Sequence, residues 1–104
     1  MKRIIFVADY TDMAFDASDA QIVLSAIEEA IITSPVVLES IILDFSRIRY
    51  FTTWFFDELF STLLQNFFLE EFKTKIQFLC LSEIGLHIYN LCMNNVENFY
   101  KVKG

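Results

Sequence analysis

The sequence predicts an α/β domain, a small sheet with elements in β-α-β-α-β-α order and helices packed on it. Three observations carry that expectation. Apolar, β-rich runs recur at residues 3–8, 36–45 and 73–81, and the segments after each have helical spacing. Breakers are scarce, with two Gly and one Pro in 104 residues, which leaves little room for long irregular loops. Alternation of this kind joins parallel strands by right-handed crossovers.

The first run, RIIFVA at residues 3–8, has no internal breaker, and its continuous apolar character predicts a strand buried on both faces at the centre of the sheet. Residues 9–17 are polar and irregular and read as a loop. Ser18, with Gln21 three residues on, has the form of a capping box and should open the first helix. Ile22, Ala26 and Ala30, flanked by Val23, Ile27 and Ile31, give that helix its apolar face, and Glu28 and Glu29 should face water. Pro35 stops it. The second strand is expected over 36–45, with Val36 to Ser40 taken as its extension.

After a link at 46–52, apolar and polar pairs alternate from Phe55-Phe56 to Phe67-Phe68, which is helical. The pairs recur every four residues while a helix turns in about 3.6, so the stripe drifts by about 40° per repeat and one flat surface cannot bury it all. Residues 69–72 are expected to close this helix. KTKIQFLCL at 73–81 begins in alternation and turns apolar, as in a strand entering from the sheet edge. Ser82 should cap a last helix with Ile84, Ile88, Leu91 and Cys92 on one face, weakened by Gly85, Asn94 and Asn95. The tail from Phe99 to Gly104 reads as a frayed end or a short edge strand.

With 55% hydrophobic residues the chain should form one domain over 1–104 around one core. Its twelve Phe exceed what so small an interior holds, so some should lie on the surface. A net charge of −6 opposes binding to nucleic acid or anionic membranes, and the scattered Lys and Arg pairs read as solvated element ends. Asp9 ends the first apolar segment too soon for a signal peptide or a membrane span. Cys80 and Cys92 sit in apolar settings and read as reduced core thiols, which suits a cytosolic location. The single histidine, His87, reads as a core or boundary residue rather than a metal ligand.

Function is expected at the strand-to-helix turn, IILDFSRIRYFTTWFFDELF at residues 41–60. Asp44 ends the strand, Thr52 or Thr53 is placed to cap the following helix, and Asp57 and Glu58 read as carboxylates in its first turn, where they favour the helix dipole. Trp54, with Phe55 and Phe56, is either core or an interface anchor.

Leu43-Asp44-Phe45-Ser46, Ile48, Phe51, Thr52-Thr53 and Phe55 followed by Asp57-Glu58-Leu59 resemble the STAS family of anti-sigma-factor antagonists, and more closely its STAS-like branch of uncharacterised bacterial domains. The similarity continues more weakly through Phe72, residues 76–80 and the last helix. It implies a regulatory, non-catalytic module that binds a kinase or anti-sigma-like ATPase by partner switching, with Thr53 as phosphoacceptor. Contacts would come from Asp44, Thr52, Thr53, Trp54, Asp57 and Glu58. In the antagonists the acceptor is usually a Ser preceded by Asp and followed shortly by Gly, whereas Thr53, Thr52 and Phe55 stand at those places here.

Two other readings compete. One is a structural interaction protein or a homodimer without a phosphorylation switch, the homodimer pairing exposed Phe residues across a two-fold axis. A small hydrolase would use Cys80 as nucleophile and His87 as base. No cofactor or metal is expected, since no Gly-rich phosphate loop or ligand cluster occurs in the sequence.

Overall fold

The computed structural model describes residues 1–103, with side chains described as far as Tyr100. Three parallel strands, β1 (Lys2–Phe6), β2 (Ser40–Asp44) and β3 (Ile76–Leu79), form one sheet in the order β1-β2-β3. Four helices accompany them, α1 (Ala17–Thr33), α2 (Thr53–Asn66), α3 (Leu69–Lys75) and α4 (Glu83–Lys103). The α/β class and parallel pairing are as expected, but α3 adds a helix to the simple alternation.

The strand expected at the centre lies at an edge. β1 ends at Phe6, residues 7–9 form a 3-10 turn, and within β1 only Ile5 is buried. The middle place belongs to β2, where Ser40, Ile41, Leu43 and Asp44 are all buried. Two continuous apolar runs look alike in sequence, and it is the pairing order, a non-local property, that decides which is covered. β2 does not extend back over 36–39 either, because its neighbour begins at Lys2 and offers no strand to pair there.

α1 starts two residues before the expected cap. Asp16 is its N-cap: Asp19 N donates to Asp16 Oδ1 at 3.1 Å, and Asp19 Oδ2 accepts from Asp16 N at 3.2 Å and Phe15 N at 3.1 Å. Ser18 instead donates its hydroxyl to Asp16 Oδ1 at 2.6 Å. Two carboxylates satisfy more of the open amides at a helix start than Ser18 and Gln21 could. The helix ends at Thr33, just before Pro35. Val23, Ala26, Ile27 and Ala30 are buried, whereas Ile22 and Ile31 are exposed.

The drifting stripe is resolved by a break in the helix. α2 buries Phe55, Phe56, Leu59, Phe60 and Leu63 and stops at Asn66. The separate α3 then turns Phe72 back into the core. α3 also claims Lys73, Thr74 and Lys75, so β3 begins only at Ile76, and both lysines sit in the last turn where cations favour the dipole.

On α4 the covered face is Gly85, Cys92 and Met93, with Ile88, Tyr89 and Val96 partly buried against the core, while Ile84 and Leu91 point outward. Ser82 does cap it, its Oγ accepting from Gly85 N at 3.1 Å. Gly85 has a packing reason, since a Cβ there would lie 2.8 Å from the Phe51 ring. Asn94 and Asn95 are exposed and do not end the helix, which continues through Lys103 without an edge strand; Gly104 lies outside the described residues.

The core is aromatic. Phe45 lies within 6.3 Å, centroid to centroid, of Phe51, Phe55, Phe56 and Phe78, and Phe78 also meets Phe60, Phe72 and Tyr89. Residues of the link after β2, and of β3, α2, α3 and α4, thus converge on one face of the sheet. No helix among the described residues is long and apolar enough to cross a membrane.

Candidate functional site

In a parallel sheet the strand C-termini and the loops after them are where ligands are usually met, because the following helices present their N-termini there. Two such loops are tied together here. Ala14 N donates to Tyr50 O at 2.9 Å, Thr52 N donates to Ala14 O at 3.0 Å, and the Thr52 hydroxyl donates to Phe15 O. Thr52 is also the α2 N-cap, its Oγ1 accepting from Phe55 N at 3.3 Å. One side chain therefore starts a helix and fastens the β1-α1 loop to it, and losing the cap alone costs about 1 kcal/mol.

Fastening the loops sets Phe15 against Trp54, edge to face at a centroid distance of 6.3 Å. Trp54 is 65% exposed, so it is no core residue. It borders an open groove of about 560 Å³ with Asp16, Ala17, Asp57, Glu58 and Ser61. Gln21 Nε2 donates to Glu58 Oε2 at 2.7 Å, joining α1 to α2 beside that groove. A second cleft of about 350 Å³, between α2 and α4, shares Asp57 and Ser61 and reaches Cys92.

The groove is acidic. The carboxyl of Asp16 is held below its ordinary value, first by the Ser18 hydroxyl and then by the Asp19 amide. Asp57 and Glu58 are not in the first turn of α2, which contains no acid, because the helix begins at Thr53. A dipole role is weak at that depth, since the effect fades beyond the first turn. No cation neutralises the groove: the ion pairs among the described residues are the Met1 amine with Glu39 and Lys73 with Glu97. No three acidic, His or Cys side chains among the described residues lie close enough to hold a metal.

Of the residues expected to form the site, Thr52, Trp54, Asp57 and Glu58 gather here. Thr53 is the first residue of α2, partly buried, with its carbonyl accepting from the Cys92 thiol at 3.9 Å. Asp44 stands apart. It is buried, and its Oδ1 accepts from Ser46 Oγ at 2.5 Å and Ser46 N at 2.8 Å, holding the turn after β2. Those bonds, the hydroxyl first, keep its carboxyl below the usual range.

Over residues 19–85 the chain matches the profile of a family described as a STAS-like domain of unknown function, DUF4325. The chain belongs to that STAS-like family. No curated protein and no solved structure matches it. The matched span includes β2, the link before α2, α2 and β3, so the α2 side of the groove lies within the STAS-like region while Phe15, Asp16 and Ala17 precede it.

Three contributors escaped the sequence reading, namely Phe15, Asp16 and Gln21. They lie in or just after a stretch taken as plain polar loop, and the one available signal was an aromatic residue set among aspartates at 12–19. Both cysteines had been expected in the core, but Cys80 is exposed at a left-handed φ of 60° just after β3. Cys92 is buried, and desolvation, with Asp57 nearby, pushes its thiol up to about 12, which leaves it protonated and inert. His87 is exposed on α4, neither in the core nor at its boundary.

Proposed function

We propose that this STAS-like chain is a non-catalytic, cytoplasmic regulatory module of a bacterial cell that binds a protein partner, a kinase or anti-sigma-like ATPase domain, through residues 52–58. The observation that supports this most is the exposed Trp54, braced by Phe15 over a groove edged with carboxylates that have no ion-pair partner among the described residues. A rigid tryptophan held out to water in the first turn of a helix tied to its neighbouring loop is the kind of residue that supplies binding energy once covered. Its acidic border favours a partner surface with Lys or Arg beside an apolar pocket.

Thr53 is the phosphoacceptor in this reading. A phosphate there would gain from the α2 N-terminus and be repelled by Asp57 one turn on, each effect being on the order of 1 kcal/mol. The contact surface does not depend on that modification.

The test is affinity capture from the native cell with and without ATP, followed by binding measurements on the recovered partner. Trp54→Ala should weaken binding by about thirtyfold, in keeping with loss of an anchor, and Thr53→Asp should weaken it as well. Added salt should slow association with wild-type protein. Unchanged affinity in both variants would refute the assignment.

A further inference from the structure

Both crossovers, β1 to β2 through α1 and β2 to β3 through α2 and α3, step the sheet in the same direction. Right-handed connections then place every helix on one face. Rows Arg3-Ile41-Ile76 and Ile5-Leu43-Phe78 look toward the helices. The opposite face carries Lys2-Ser40, Ile4-Ile42-Gln77 and Phe6-Asp44-Leu79; Ser40 and Asp44 are buried within it, and the crossovers place no helix among the described residues over it. Ile4, Phe6 and Leu79 are 51%, 47% and 48% exposed, with Ile42 partly exposed between them.

A bare apolar face is exceptional for an all-parallel sheet, which is ordinarily covered on both sides. With roughly 100 Å² exposed on each of Ile4, Phe6 and Leu79 and a smaller share on Ile42, the patch reaches roughly 350 Å², the size of the largest patch on a typical monomer. Its charge pattern indicates what covers it. The chain carries a net charge of −6, yet the one carboxylate on these rows is Asp44, already buried against Ser46, and the one exposed charge is the cation of Lys2 at the end of the face. Two copies meeting here bring no exposed carboxylates together and so avoid the repulsion that two chains of net charge −6 meet elsewhere.

We propose that this open sheet face is the contact surface of a homodimer, with the two sheets stacked about a two-fold axis. Like rows then oppose like rows, which suits an isologous contact, and sheets pack face to face about 10 Å apart. Two such patches with their rims bury about 1,000 Å² in total, near the lower limit of specific interfaces, so the dimer forms in a concentration-dependent way. The surface is separate from the groove at Trp54.

Sedimentation equilibrium over a wide concentration range tests this. Wild-type protein is expected to pass from monomer to dimer, and Phe6→Lys to weaken the dimer by more than about tenfold while keeping its circular dichroism spectrum. Gln77→Glu, a milder change on the same face, should weaken it in a way that added salt restores. Trp54→Ala should leave the dimer intact, which separates this result from the fate of the partner-binding proposal. A wild-type monomer at every concentration overturns the inference, as does a dimer that tolerates both Phe6→Lys and Gln77→Glu or is lost in Trp54→Ala.

Discussion

Asp44 and Thr52 stand at the two ends of the same link and do different work. Asp44 is a buried acceptor that holds Ser46, and Thr52 joins a helix start to a neighbouring loop. The Asp44 carboxyl titrates below its unfolded value of about 3.9, so its contribution to stability is fully present above that value and is lost as pH falls through the lower folded value. Denaturant titrations from neutral to acid pH should therefore show less acid-dependent loss of stability in Asp44→Asn than in wild type. Equal slopes would mean that the Ser46 bonds hold the charged and neutral forms alike. A capping threonine could be read from the Thr52-Thr53 pair, but the hydroxyl's second bond to Phe15 could not, since 37 residues separate the two.

Helices α2 and α4 illustrate two outcomes of local signals. The four-residue repeat of α2 foretold that one surface could not bury it all, and the chain answers with a stop at Asn66 and a new helix at Leu69. On α4, Gly85 looked like a simple loss of helix propensity, yet it allows the helix to approach Phe51, whose ring is stacked on Phe56 at 6.1 Å. Gly85→Ala gains about 1 kcal/mol of propensity and loses about 1–3 kcal/mol by overpacking. The expected outcome is a net loss of about 1 kcal/mol in urea unfolding. A stabilised variant would show that Phe51 can move aside freely.

The molecule as a whole is one-sided, an aromatic core under four helices and a sheet whose other face is open. If two copies close that face, unfolding is linked to dissociation, so the melting temperature should rise with protein concentration, and Phe6→Lys should move that rise to concentrations more than about tenfold higher. Thermal scans at several concentrations check this. The groove lies at the other kind of surface, at the strand ends, so one molecule can present a partner site while its sheet face is paired.

Composition, the placement of Pro35 and Ser82, and the spacing of apolar residues were enough to specify an α/β chain, a helix ending at Thr33, another starting at Glu83, and the turn that carries Thr52, Asp57 and Glu58. Those features rest on neighbours within a few residues of one another. Strand order, the open face, the exposure of Trp54 and the meeting of Phe15 with it follow from contacts between distant segments. Periodicity tells which residues share a side of an element; it does not tell which side another element will cover, and here that depends on two crossovers stepping the same way.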